Sequence, residues 1–206
     1  MKTKLYIVRH GTTKWNEERR MQGWTDTPLS ETGIRQAEEL AQQLQHETIH
    51  GIYSSSLQRA AQTASLIAKH HTIRVILEDD LREGRFGIFE GMIWEEVNKL
   101  YSKRYPLPGE AGRFSLRVEG GGESIEDIYQ RVSRLVDGIV KKHPSQTIML
   151  VSHGLAIKCI AYHFGIVERD SIERLKIGNA EHYIVEYSHR DKAFNPIHFP
   201  LEFYND

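Results

Sequence analysis

The chain has 206 residues, 39% hydrophobic and 27% charged, with 27 Lys and Arg against 28 Asp and Glu and a formal net charge of -1. This supports one ordinary core, and the charge balance gives no overall field to draw nucleic acid or an anionic membrane. Cys159 is the sole cysteine, which excludes an internal disulfide and points to a reducing, cytoplasmic setting, and no apolar run approaches a membrane span or a signal peptide.

Leu5-Tyr6-Ile7-Val8 is a short apolar run of β-formers, the pattern of a strand buried on both faces, and it stops at Arg9-His10-Gly11. A polar loop with Asn16 and Gln22-Gly23 follows. Ser30 is an N-cap, and Ile34, Ala37, Leu40, Ala41 and Leu44 recur at helical spacing to about His46. Residues 51–55 read as a second strand, Leu57 to Ala68 as a helix with Arg59 in its first turn, and Ile73 to Leu77 as a third strand ahead of Glu83.

From 84 to 122 the rhythm breaks into an excursion with a short helix near Trp94–Tyr101, several prolines and glycines, and Gly120-Gly121-Gly122 at its end. Order returns at Ser124, with Asp127 at the capping-box position, followed by the amphipathic run Ile125 to Val140. A second buried run, Ile148 to Val151, ends in Ser152-His153-Gly154, and a helix to Phe164 and a late strand, Tyr183–Tyr187, complete the pattern. Beyond Ser188 the sequence predicts only that Phe194, Phe199 and Phe203 pack the tail down. Alternating strands and helices predict an α/β fold with a mostly parallel sheet.

Two buried strands that each finish in an imidazole and a glycine place both rings at one sheet edge if the strands are neighbours, and that edge is where open α/β sheets bind ligands. An arginine in the first turn of a helix opposes the helix dipole, so a bound anion there would explain Arg59, although a solvated arginine would also fit. Two arginines, two histidines and a carboxylate suit phosphoryl transfer. Guanidinium forks hold phosphate oxygens, a neutral imidazole attacks phosphorus, a protonated one donates to the same oxygens, and a carboxyl group moves the leaving-group proton. Other features are weaker: the glycines of 84–91 miss nucleotide-loop spacing, His70-His71 would diverge on a helix, Cys159 reads as a buried inert thiol, and His163 as a core or surface histidine.

Arg9-His10-Gly11, Arg59 after the second strand, Glu83 in Leu-Arg-Glu and Ser152-His153-Gly154, in that order, resemble the histidine phosphatase superfamily, the phosphoglycerate-mutase-like enzymes. The resemblance runs from Leu5 to about Tyr187. It implies a three-layer α/β/α sandwich spanning 1–206 as one domain, with a short cap at 84–122 and no metal or organic cofactor. It also implies His10 as the phosphorylated nucleophile, Arg9, Arg59 and His153 as the rest of the phosphate pocket, Glu83 as acid and base, and Asn16, Gln22, Gly23 and Gly154 among the substrate contacts. The family usually carries Glu or Gln after Arg-His-Gly, where this chain has Thr12. A mutase needs a longer basic lid, so the expectation is a cytoplasmic phosphatase of broad specificity for small phosphate esters, monomeric or homodimeric. Phosphoglycerate mutase, α-ribazole phosphate phosphatase, sugar-phosphate phosphatase and an inactive phosphate-ester sensor are the alternatives. The excursion's Lys103, Arg104, Arg113 and Arg117 could serve a lid, whereas Trp94, Tyr101, Tyr105, Leu107 and Phe114 could line an apolar mouth.

Overall fold

The two apolar runs lie side by side at the centre of a six-stranded sheet. The computed structural model describes residues 1–104, 110 and 112–204, without the side chains of 102–104. Its strands are β1 (Lys2–Arg9), β2 (Gly51–Ser55), β3 (Val75–Glu78), β4 (Thr147–Ser152), β5 (His182–Ser188) and β6 (Ala193–His198), ordered β3-β2-β4-β1-β5-β6. The first four of these in spatial order run parallel, and β5 and β6 are antiparallel additions on the β1 side. The helices are α1 (Lys14–Glu17), α2 (Glu31–Leu44), α3 (Gln58–Ala68), α4 (Trp94–Arg104), α5 (Ile125–Lys142) and α6 (Gly154–His163).

Strand alternation sorts the core into two layers. Tyr6 and Val8 join Leu40, Ala64 and Ile67 beneath α2 and α3, whereas Leu5 and Ile7 join Ile128, Val132 and Ile157 beneath α5 and α6. The result is the expected α/β/α sandwich. Ser124 and Asp127 form the predicted capping box of α5.

Three elements differ from expectation. The loop after His10 contains the helical turn α1, capped by Thr13, whose hydroxyl accepts from the Asn16 amide. The third strand is the sheet edge, and Ile76 and Leu77 stay 41% and 55% exposed there. The tail contains β6, which pairs with β5 although its side chains are mostly exposed, so it carries no hydrophobic alternation to read.

The stretch after Glu83 is fastened by a small cluster of Met21, Phe89, Val97 and Val118. Phe114 packs against Tyr129 of α5 and Tyr162 of α6, and Tyr101 packs against Phe89 within the excursion. Trp94 is 49% exposed. Tyr105, Leu107 and the side chains of Lys103 and Arg104 lie outside the described residues.

Candidate active site

Strands β1 and β4 pair in parallel with Arg9 opposite Ser152, so the next residue of each is a histidine at the same edge. The His10 amide donates to the Ser152 carbonyl (3.0 Å), which locks the two strand ends together. The rings of His10 and His153 lie 5.0 Å apart, tilted by 57°, and both are buried.

The partners of each ring fix its tautomer. His10 Nδ1 is 2.7 Å from the Gly11 carbonyl oxygen. A carbonyl only accepts, so Nδ1 carries the proton and Nε2 keeps a lone pair. At His153 the logic reverses: Nδ1 accepts from Arg59 Nε (3.2 Å), so the proton is on Nε2, 2.7 Å from Ser55 Oγ. Burial, with Arg59 and Arg9 adding to it, holds His10 well below the ordinary histidine range. Burial, then Arg59 and the neighbouring His10, does the same to His153. In the free pocket, the Arg59 bond to His153 Nδ1 is one that the neutral ring makes, and burial disfavours the charged form of both imidazoles.

Arg59 leaves the first turn of α3 and crosses the pocket floor, 1% exposed. Nη1 donates to the Thr25 carbonyl (3.0 Å) and Nη2 to the Gly23 carbonyl (2.8 Å). With the Nε bond to His153, three of the five N–H groups of a guanidinium are used, and two remain for an anion. Burial pushes Arg59 down to about 10, and it stays cationic at neutral pH. Arg9 donates to the Ile177 carbonyl, and its buried Nε has no partner among the described residues. Burial lowers it too, against the pull of Glu83.

Glu83 is seated on the N-terminus of α6, whose free amides donate to its carboxyl oxygens. Its Oε1 accepts from Gly84, Leu155 and Ala156 at 3.0, 3.1 and 3.2 Å, and Oε2 accepts from Leu155 at 3.2 Å. Oε2 is thus the less committed oxygen. A methyl group built on Gly154 would sit 3.6 Å from Oε2 and 3.8 Å from Arg9 Cζ, which shows how closely the two charges flank the start of α6.

Two supporting residues escaped the sequence reading. Arg131, 8% exposed, donates to the carbonyls of Asp80, Arg82 and Glu83 and grips both oxygens of Glu123. Its signal was available: it lies between Ile128 and Val132 on the buried face of α5, where a charge needs a reason. Glu90 accepts from the amides of Trp24, Thr25 and Phe86, and so shapes the loop whose carbonyls hold Arg59. No periodicity marks that residue.

The predicted loop residues frame the pocket. Gly23 (φ +56°) turns its carbonyl onto Arg59, and any Cβ there would strike the Glu90 carboxylate. Gln22 is buried, with its Oε1 accepting from Thr13 and Thr27. Asn16 Oδ1 accepts from the Thr13 amide (3.0 Å) and lies 3.4 Å from Asn179 Nδ2, which also reaches the His10 carbonyl. Thr12 is held through its backbone, by Gln36 at the amide and Ser30 at the carbonyl, so its place does not depend on a longer side chain.

Among the described residues, no helix is long and apolar enough to cross a membrane. A family model described as histidine phosphatase superfamily (branch 1) matches residues 5–197. The chain is 39% identical over 158 residues to phosphoserine phosphatase 1 of Hydrogenobacter thermophilus, covering 76% of this chain and 74% of that one. It is 36% identical to phosphoglycerate mutase-like protein 4 of Arabidopsis thaliana, covering 76% and 68%. A phosphoserine phosphatase mutant of Entamoeba histolytica, solved with phosphoserine, superposes with a TM-score of 0.81 at 31% identity over 96% of each chain.

Proposed function

The chain belongs to the histidine phosphatase superfamily, branch 1, as a phosphoric monoester hydrolase, and from that premise we propose that it cleaves a broad range of small phosphomonoesters through a phosphohistidine on His10. The observation that carries this is the His10 tautomer: Nδ1–H is tied to its own chain, and the Nε2 lone pair is left among two guanidinium groups and a second imidazole.

In this mechanism, Arg59 and Arg9 bind the non-bridging oxygens and hold their charge through transfer. His10 Nε2 forms a bond to phosphorus as the ester oxygen departs, and Glu83 gives that oxygen its proton. Glu83 then takes a proton from water, which attacks phosphorus, breaks the P–N bond and returns neutral His10. His153, held by Arg59 at Nδ1 and by Ser55 at Nε2, orients the Arg59 guanidinium beneath the phosphoryl group.

Two described cations of the excursion favour hydrolysis over mutation. Arg113 is paired with Glu173, and Arg117 grips Asp127 with two bonds, so neither is free to hold a second phosphoryl group. The same reading takes 1–206 as one domain with 84–122 as its cap, acting in the cytoplasm as a monomer or homodimer, without nucleic-acid or membrane partners.

The test is phosphorus NMR with 3-phosphoglycerate and a trace of the bisphosphate, then a panel of aryl, sugar and amino-acid phosphates. Inorganic phosphate without 2-phosphoglycerate is the expected product, with turnover across the panel. Growth of 2-phosphoglycerate would establish a mutase. Turnover of one panel member alone would establish a narrow phosphatase.

A further inference from the structure

Lys158 is a cation that the mechanism above leaves unused. It lies on α6 one turn past Gly154, and long helical side chains lean back toward the N-terminus, which carries its amine toward the Glu83 end of the pocket. The side chain is half-buried. Nζ donates to the Glu173 carbonyl at 2.7 Å, and among the described residues no carboxylate pairs with it. An ammonium has three donors, so two are left over. Burial pushes the amine down to about 8, and the acid that acts on it most strongly is Glu83, ahead of Glu173.

The surroundings are those of a small anion site. The Tyr204 ring lies 5.5 Å from Lys158 Nζ and 5.6 Å from Lys176 Nζ, and is 54% exposed. Arg9, whose buried Nε has no hydrogen-bond partner among the described residues, is the cation that acts most strongly on Lys158. A desolvated ammonium without a counter-charge is unfavourable, and an arriving carboxylate removes that cost.

We propose that Lys158 binds a carboxylate on the leaving group, so that the preferred substrates are phosphomonoesters of hydroxy acids or of hydroxyl-bearing amino acids. The side of the pocket follows from Glu83, which protonates the departing alcohol: a group beside it meets the alcohol portion and not the phosphoryl oxygens. This rests on the phosphatase reading given above. A carboxylate fits better than a second phosphate, because the site offers one point charge and no free guanidinium fork.

The experiment compares kcat/KM for O-phosphoserine and 3-phosphoglycerate with that for p-nitrophenyl phosphate and glycerol phosphate, in wild type, Lys158→Gln and Lys158→Arg. Gln keeps a donor for the Glu173 carbonyl but no charge. It should lower kcat/KM for the acid esters about tenfold, mainly through KM, and leave the neutral esters near wild type, with Arg recovering most of the loss. An equal loss on all four esters, or no loss on any, would overturn the proposal. Wild type active on p-nitrophenyl phosphate without preference for acid esters also overturns it, whereas wild type inactive on every ester overturns the hydrolase reading itself.

Discussion

At His10 and His153 the decisive feature is what each ring is denied. Both are buried beside Arg59, and both are held neutral by that burial. The sign for stability follows: the unfolded chain protonates these rings below about 6.5 and the folded chain does not, so their contribution is full above that pH and declines as pH falls below it. Chemical denaturation at neutral and mildly acidic pH should show that decline, and the acid limb of kcat/KM should lie below the usual histidine range. Glu83 gives a second test at this scale. Glu83→Gln keeps the size but cannot cycle a proton, so kcat should fall by roughly 10²–10⁴ on alkyl phosphates and far less on aryl phosphates, whose oxide leaves unassisted. Equal losses on both would remove Glu83 as the acid. His10 and His153 were legible because each ends a buried strand in a polar ring, and Arg59 because a cation opposes the dipole of a helix start. Glu90 was harder to find because it acts on backbone amides, which leave no mark in composition.

Among the elements, α2 lies directly against the loop that follows the nucleophile. Its Gly33 packs backbone to backbone on the His10 loop, and a Cβ there would lie 1.9 Å from the Thr12 carbonyl oxygen. Gly33→Ala gains ~1 kcal/mol of helix propensity but forces α2 and the loop apart, an overpacking cost of about 1–3 kcal/mol. Net destabilisation is expected, with a fall in kcat beyond what the folded fraction explains, read by thermal melts alongside turnover per folded molecule. A Gly33→Ala enzyme at wild-type stability and rate would show that this close approach is dispensable. The helices α2, α3 and α5 were legible from their apolar spacing and caps. The turn α1 was not, because four residues are too few for any period, and β6 was not, because exposed side chains give strands no alternation.

For the whole molecule, the sheet order explains why residues from 9 to 154 meet: the parallel neighbours β2, β4 and β1 all end at one edge, and α3 and α6 start there. The alternation of elements fixed the sandwich in advance, whereas the antiparallel rim of β5 and β6 depends on pairing that no single segment encodes. Arg9 and Arg59 supply the positive charge that the phosphoryl group meets, so turnover should be unchanged after exhaustive chelation. Activity lost to chelator and restored by a divalent cation would contradict that. The central claim is the covalent bond between phosphorus and His10. Its most direct measurement is a rapid quench of the enzyme with a radiolabelled small phosphomonoester, followed by denaturation in alkali or in acid. Label retained in alkali, lost in acid, mapped to His10 and missing from a folded His10→Ala variant is the predicted result. A wild-type enzyme that turns over without labelled protein, or a His10→Ala variant that labels normally, would contradict it.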